Sequence, residues 1–448
     1  MTLKIFNQLK LKSFQNRFES VQNRIQKLQK MQNWIKKNEL LILESVHSDF
    51  NKPHFETAMS EIMIVLNELK YFKTNLKSWV IDQIVSTPIS LFGHKSKIRY
   101  ENKGVILIIS PWNYPFQLAI NPLIAAISAG NTVVIKPSEL TPATALLLQK
   151  MCSEIFEIDD VVVELGDKEK TNELMNYQFD HVFFTGSTNV GRIIAVDCAK
   201  KLIPYTLELG GKSPVIITES ADIDDAISKI HWGKYLNRGQ TCVAPDYVLV
   251  HDIIQAEFQT RFNSYSKSID QKQNPEKISQ IISKKHQSRL DDLNSGQFDF
   301  KKSAVELIQI KNIDHPLMAD EIFGPTSPVI GYSDLKSAVE IILKYPDPLA
   351  FYIFSKNNAE IEFLLKSIPS GGVGINSVSV HLANHHLPFG GRGNSGQGRY
   401  HGHFGFLEFS HHRAIIEQKF LKQSLQILFP PYTELKMKLL KILRFMTN

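Results

Sequence analysis

Cysteine is scarce in this 448-residue chain: Cys152, Cys198 and Cys242 are the only three. Their number is odd, their spacings are wide and no CxxC pair occurs. A disulfide framework or a structural zinc site is therefore not expected, and a reducing, cytoplasmic compartment is. Long apolar runs are also missing. Nothing approaches the ~20 residues that a membrane-spanning helix needs. The opening MTLKIFNQLKLKSFQNRF is basic and amphipathic, but it lacks the apolar core and small-residue cleavage site of a secretory signal. It uses Lys, Asn and Gln where an organellar address would use Arg and Ser, so it reads as a first surface helix. The net charge of +6 is spread along the chain with no recognisable basic module, and no nucleic-acid partner is expected. Internal repeats and low-complexity segments are absent.

What remains is ordinary globular composition, 43% hydrophobic and 21% charged, at a length that predicts two or three domains. Residues 1–80 carry helical periodicity with few breakers. Residues 85–101 (VSTPISLFGHKSKIRYE) read as short strands with turns. From Gly104 strands alternate with helices: GVILII (104–109), the helical FQLAINPLIAAISAG (116–130), NTVVIKPS, a helix opened by Thr141-Pro142, VVVELG, HVFFTGS (181–187) and a helix over 188–201. Such alternation predicts an α/β fold with a doubly wound parallel sheet. A second series (TLELG, SPVIIT, DIDDAISKIHWGKYLN, YVLVH, IIQAEFQTRF) predicts a second α/β unit from about Glu208. The glycine-rich LPFGGRGNSGQGR (387–399) breaks the pattern and is expected to lead to a separate element and a tail over 420–446.

Several short stretches carry chemistry. In NRGQTCVAP (237–245), Cys242 stands where a helical pattern ends in Asn237-Arg238-Gly239. A reactive thiol needs such a turn and backbone N–H groups facing it. FFTGSTNVGR (183–192) runs a strand into Gly186 and Ser187 with Gly191 five residues on, a phosphate cradle at a helix start. The usual third glycine is missing from it, and alone the motif is an ordinary strand–turn–helix. Lys136 and Glu139 in VVIKPSE leave a buried strand at its ligand-binding end and suit ribose hydroxyls; alone they read as a solvated pair. Asn113 in SPWNYPF offers a side-chain amide for an oxyanion, or is a turn asparagine. Glu208 in YTLELGGKSP is a carboxylate in an apolar strand, where a raised pKa suits a general base; alone it reads equally as a strand-end carboxylate satisfied by backbone N–H groups. Glu321 and Phe323 fall in DEIFGPTSP, which alone reads as a loop before a strand. The order Asn, Lys, glycine turn, Glu, Cys, Glu supplies a nucleotide cradle, an oxyanion donor, a base and a nucleophile on one chain.

With these motifs in this order, the sequence resembles the aldehyde dehydrogenase superfamily from about residue 50 to 416. The matching stretches are PWNYPF, VVIKPSE, FTGSTNVG, LELGGKSP with NRGQTC, and EIFGP. The segment LPFGGRGNSGQGRYHGHFGFLEFSHHR and the modest length are similar to the short, class 3-like branch. Glu208 precedes Cys242 by 34 residues, the family's base-to-nucleophile spacing. The resemblance implies a Rossmann-like cofactor domain (1–80 and 102–207), a catalytic domain (208–388) and an oligomerisation element with a tail (81–101 and 389–448). It implies Cys242 as nucleophile, an oxyanion hole made by Asn113 and the Cys242 backbone N–H, and Glu208 as the base that activates water. Lys136 and Glu139 would hold the adenosine ribose, Gly186, Ser187 and Gly191 the pyrophosphate turn, and Glu321 with Phe323 the nicotinamide end. The implied reaction is oxidation of an aldehyde to its acid by NAD(P)+ through a cysteine thiohemiacetal and thioester.

Trp232 and Leu236 share a helix face, and Tyr114 and Thr241 flank the two donors. In the resembling family these positions line the aldehyde tunnel, which implies a medium- or long-chain aliphatic or an aromatic aldehyde. The alternative for Trp232 and Leu236 is plain core. Glu139 suits a free 2′-hydroxyl and favours NAD, with NADP left open. A homodimer is implied. The competing functions are a CoA-acylating relative, against which Glu208 argues, a membrane-associated fatty aldehyde dehydrogenase, a cofactor-independent thiol hydrolase and a structural protein. Arg392 and Asp320 depart from the family pattern without touching the catalytic set. The histidines His385-His386, His401, His403 and His411-His412 have no metal-site spacing, and no metal is expected. The basic amphipathic LKMKLLKILRFM (435–446) is expected to pack on a partner subunit, with docking on an anionic membrane the less favoured reading.

Overall fold

Runs of Val and Ile, buried on both faces, form the centres of two parallel sheets. The computed structural model describes residues 1–273, 278–293, 305–419 and 429–447. In chain order the strands are β1 (Gln83–Val85), β2 (His94–Asn102), β3 (Val105–Ile109), β4 (Thr132–Lys136), β5 (Val161–Val163), β6 (His181–Thr185) and β7 (Tyr205–Glu208). They continue with β8 (Pro214–Ile217), β9 (Tyr247–His251), β10 (Glu306–Gln309), β11 (Thr326–Tyr332), β12 (Ala350–Phe354), β13 (Gly372–Ile375), β14 (Gly396–Gln397) and β15 (Ser410–Gln418).

The first large sheet has the order β14-β7-β6-β3-β4-β5. The chain moves from β3 outward to β5, then crosses back to β6 and β7. The order therefore reverses between β3 and β6, and the crevice beyond their carboxyl ends is where an open α/β sheet binds ligands. The loop at Ser110–Phe116 leaves β3 there, and Gly186-Ser187 leaves β6 beside it. The second sheet, β10-β11-β9-β8-β12-β13, is parallel throughout. A third, antiparallel sheet pairs β1, β2 and β15, with β15 running the full length of β2.

The first 80 residues are helical, as their periodicity predicts. On the helix Met63–Trp79, the buried Val65, Leu69, Phe72 and Leu76 follow the 4-3-4 spacing of one helix face. They pack with Leu28, Met31 and Ile35 against the wholly buried helix Gln117–Ser128 and the strands beneath it. Burial of each such side chain contributes about 1.5–3 kcal/mol. One turn of wider, π-helical winding at Ala58–Ile62 precedes this helix.

Two sequence readings change. TLEL does not open the second series: β7 pairs in parallel with β6 and is the last parallel strand of the first sheet, ending at Glu208. The glycine-rich run does not simply lead away either, because β14 returns to pair antiparallel with β7, Gly396 opposite Glu208. Gly396 permits this with φ +144°, and a Cβ there would lie 2.2 Å from the Leu207 carbonyl oxygen. The tail reading falls partly outside the described residues; Glu434–Thr447 is a helix whose described apolar residues are exposed. No described helix is long and apolar enough to cross a membrane.

Candidate active site

Cys242 follows a turn that the backbone enters at a cost. Asn237, Arg238 and Gly239 all adopt left-handed conformations, with φ of 50°, 55° and 72°. Non-glycine residues held there store roughly 1–3 kcal/mol each and need surrounding support. Gly239 is further constrained, since a Cβ would meet the Gly324 carbonyl oxygen at 2.1 Å. The turn reverses the chain after the helix Ile223–Tyr235 and presents Cys242 half-buried, whereas Cys152 and Cys198 are buried in the core. The backbone N–H groups of Cys242 and Val243 favour the sulfur's charged form. Burial outweighs them and pushes the thiol up to about 12, and the carboxylates of Glu321 and Glu208 push the same way.

Asn113 lies on the loop after β3, with its amide buried. Its Nδ2 donates to the Gln240 carbonyl at 3.1 Å, and its own carbonyl accepts from Asn237 Nδ2 at 2.8 Å. The loops carrying Asn113 and Cys242 are thus tied together. The Tyr114 hydroxyl adds a second tie, 2.7 Å from Thr241 Oγ1.

Glu208 ends β7 and is only 3% exposed. Among the described residues neither carboxyl oxygen has a hydrogen-bond partner. Burial holds it well above the ordinary carboxyl range; Arg399 pulls it down and Glu408 raises it. An unpaired buried carboxyl is destabilising, and such groups concentrate at reactive sites.

Two cavities meet at these side chains. One is an apolar tunnel of about 290 Å³, walled in part by the predicted Tyr114, Trp232, Leu236 and Thr241. Trp232 is 38% exposed, so it is not plain core. Met59, Met63, Val380, Leu382, Phe389 and His401 also wall the tunnel, and the sequence reading missed them. Met59 and Met63 are spaced as neighbours on one helix face, but nothing in the sequence tells a tunnel-facing apolar pair from a core pair. The second cavity is a more polar groove of about 500 Å³ at the reversal of the first sheet. Asn113, Gly186, Ser187, Glu321 and Phe323 line it, as do the unpredicted Trp112, Lys212 and Arg289. Cys242 and Glu208 belong to both walls.

The remaining predicted groove residues are placed differently. Lys136 and Glu139 stand at the end of β4, paired at 3.1 Å, and are not among the groove's lining residues. Gly191 is buried under Leu209, whose Cδ2 a Cβ would meet at 2.5 Å. It serves close packing of the helix Thr188–Lys200 on the sheet. At the groove's far side Glu321 packs on Gly210, where a Cβ would lie 2.0 Å from Glu321 Oε2. Burial, then Asp246, raises Glu321 to about 8. Lys212 Nζ braces this corner, 2.6 Å from Asp246 Oδ2. Arg392 pairs with Asp347 at 2.9 Å, beside the groove. Among the described residues no group of three or more His, Cys, Asp or Glu side chains converges on a metal position.

A profile of the aldehyde dehydrogenase family matches residues 12–299 and 307–415, most of the chain. The chain belongs to that family. It is 41% identical over 425 residues to the 4,4'-diaponeurosporen-aldehyde dehydrogenase of Staphylococcus aureus, covering 91% of this chain and 92% of the relative. It is 37% identical over 424 residues to the dimeric NADP-preferring aldehyde dehydrogenase of Canis lupus familiaris, covering 92% and 93%. A solved structure of Staphylococcus aureus AldH in a substrate-bound state superposes with a TM-score of 0.93 at 38% identity, over 99% of each chain. This chain is accordingly an NAD(P)-dependent aldehyde dehydrogenase that oxidises an aldehyde to its acid. The class 3-like resemblance read from its motifs holds.

Proposed function

We propose that Cys242 is the nucleophile of this dehydrogenase, Glu208 its hydrolytic base and Asn113 its side-chain oxyanion donor. We further propose that the substrate is a medium- or long-chain aliphatic or an aromatic aldehyde. One observation carries this reading: a lone half-buried thiol and an unpaired buried carboxyl share the wall where an apolar tunnel opens into a polar groove.

The groove suits a dinucleotide. The start of the helix Thr188–Lys200 faces it through Ser187, Thr188 and Asn189, an arrangement that favours a phosphate. Gly210 leaves Glu321 room to lie against the backbone at its other end. When bound, NAD(P)+ would supply the hydride acceptor, and Glu321 and Phe323 are the residues that would hold its nicotinamide end. The Cys242 thiolate attacks the aldehyde carbon, and the resulting oxyanion accepts from Asn113 Nδ2 and the Cys242 N–H. Loss of hydride leaves a thioester on Cys242. Glu208 then takes a proton from water as it attacks that thioester, releasing the acid and the thiol. Glu208 has no competing hydrogen bond to surrender first.

The tunnel's apolar wall supports the substrate class, and a relative named for 4,4'-diaponeurosporen-aldehyde is in keeping with it. Glu139 would repel a 2′-phosphate, which favours NAD+, although a relative is named as NADP-preferring. Lys136 and Glu139 keep their proposed place at the adenosine ribose, beside the groove. We place the enzyme in the cytoplasm as a homodimer, with β2, β15 and the C-terminal helix as its oligomerisation element. The test is nicotinamide absorbance with NAD+, NADP+ and aldehydes of graded chain length, with and without CoA. Acid formation without CoA, rising from acetaldehyde to octanal and beyond, supports the reading. Strict dependence on CoA makes it a CoA-acylating enzyme instead.

A further inference from the structure

The helical N-terminal segment carries three charged side chains that this chemistry does not use. Lys52 and Glu61 are fully buried and Glu56 is 7% exposed. Taking such groups out of water costs several kcal/mol each unless partners compensate. Lys52 Nζ donates to Glu61 Oε1 at 2.9 Å and lies 3.8 Å from the Tyr114 ring centroid. The other oxygen of Glu61 accepts from the N–H groups of Phe116 at 2.9 Å and Gln117 at 3.2 Å. These groups open the helix Gln117–Ser128, which has no side-chain cap of its own. Glu61 therefore caps from outside the helix that terminates the Asn113 loop.

Glu56 acts on the other loop. Its Oε1 accepts from the Asn237 N–H at 2.7 Å, the first residue of the left-handed turn before Cys242. Asn237 Nδ2 in turn donates to the carbonyls of Asn113 and of Gln240. In a regular α-helix, residues five apart diverge by about 140°. The wider winding at Ala58–Ile62 begins after Glu56 and contains Glu61, and it lets one short segment reach both loops.

We propose that Lys52, Glu56 and Glu61 are positioning residues that hold the Asn113 amide and the Cys242 N–H at a fixed separation, without touching the substrate. This rests on the reading of those two groups as the oxyanion donors. A displacement of about 1 Å in such a site lowers turnover by as much as 10²-fold, whereas substrate affinity depends mainly on the tunnel. Glu56 is the cleanest handle, because its Oε1 accepts directly from the first residue of the strained turn.

The experiment measures kcat and KM for octanal with NAD+ in the full-length enzyme, for Glu56→Ala, Glu56→Gln, Asn113→Ala and the Glu56→Ala/Asn113→Ala double variant. The expected result is a fall in kcat of about tenfold or more in Glu56→Ala with KM within about threefold. Glu56→Gln keeps an acceptor oxygen and is expected to recover most of that loss. With the donor already gone, Glu56→Ala is expected to cost less than about twofold further, because the two changes share one effect. Glu56→Asp, too short to reach Asn237, replaces Glu56→Ala if that variant does not fold, with the same expected fall. Near-normal kcat in Glu56→Ala, or a fully additive loss in the double variant, overturns the positioning role. If Asn113→Ala alone keeps normal turnover, the oxyanion reading itself is wrong, and the positioning role falls with it.

Discussion

Glu208 faces Cys242 across the junction of tunnel and groove, close enough for its carboxylate to raise the thiol's pKa. In the proposed mechanism Glu208 serves the step after the thioester forms. Glu208→Gln should therefore spare the first turnover and block the second. Rapid mixing with NAD+ and aldehyde should give one equivalent of reduced cofactor per site, followed by a steady rate slower by about 10²–10³-fold. Cys242→Ala should give no burst at all while still binding NAD+. A normal steady rate in either variant removes the role assigned to that residue.

The thiol's environment sets a pH dependence. Burial and two carboxylates push Cys242 up to about 12, so in the cofactor-free enzyme the thiol is protonated near neutrality. The thiolate fraction then rises with pH, about tenfold per unit, throughout the accessible range. Alkylation by iodoacetamide should follow that slope from pH 7 to 9 without a plateau. Cys152 and Cys198 do not compete, because both are buried in the core whereas Cys242 is half-buried. A positively charged nicotinamide beside the sulfur favours the thiolate, so saturating NAD+ should move the profile to lower pH. A plateau below pH 8 in the free enzyme contradicts the assigned environment.

Glu208 also makes a stability prediction whose sign is fixed. Its folded pKa is raised, so the folded state holds the proton more tightly than the unfolded chain. Stability is full below the unfolded value and declines as pH rises through the range up to the folded one. Glu208→Gln removes that decline. The variant should match the wild type near pH 4.5 and exceed it at pH 8. Paired melting curves at the two pH values check this. A variant less stable than wild type at pH 8 indicates a partner for the carboxylate.

These electrostatic facts separate what the sequence discloses from what it hides. Alternation of apolar strands with capped helices is a local signal, so the first parallel sheet and the turn at Gly186 were readable. Cys242, Glu208 and Asn113 stood out as candidates because functional residues often sit on loops at strand ends, and their order along the chain matched a family pattern. Return of the glycine-rich run to β7 was not readable, because edge pairing of two residues leaves no periodicity. Nor was the role of Lys52, Glu56 and Glu61. In a helix of mixed composition a buried charge looks the same as a surface one until the partner elements are in place. Gly191 shows the opposite ambiguity: a glycine after a phosphate-type turn fits helix packing as well as ligand approach, and its near neighbour here is Leu209.

Gly210 offers a test confined to the groove. Its backbone does not occupy a left-handed region, so alanine is conformationally acceptable there, but the added methyl would lie 2.0 Å from Glu321 Oε2. Glu321 is held at the same corner, its N–H and carbonyl engaged by Asp320 and Arg289. The backbone cannot retreat easily, so the carboxylate must swing away from the strand end. Gly210→Ala should raise KM for NAD+ by about fivefold or more, roughly the loss of one hydrogen bond at about 1 kcal/mol. Cys242 alkylation in the absence of NAD+ should stay within about twofold of wild type, because that chemistry needs only the thiol and its own loop. Equal losses in both measurements would mean that the methyl disturbs the site as a whole, and unchanged KM would remove Glu321 from the cofactor's binding determinants.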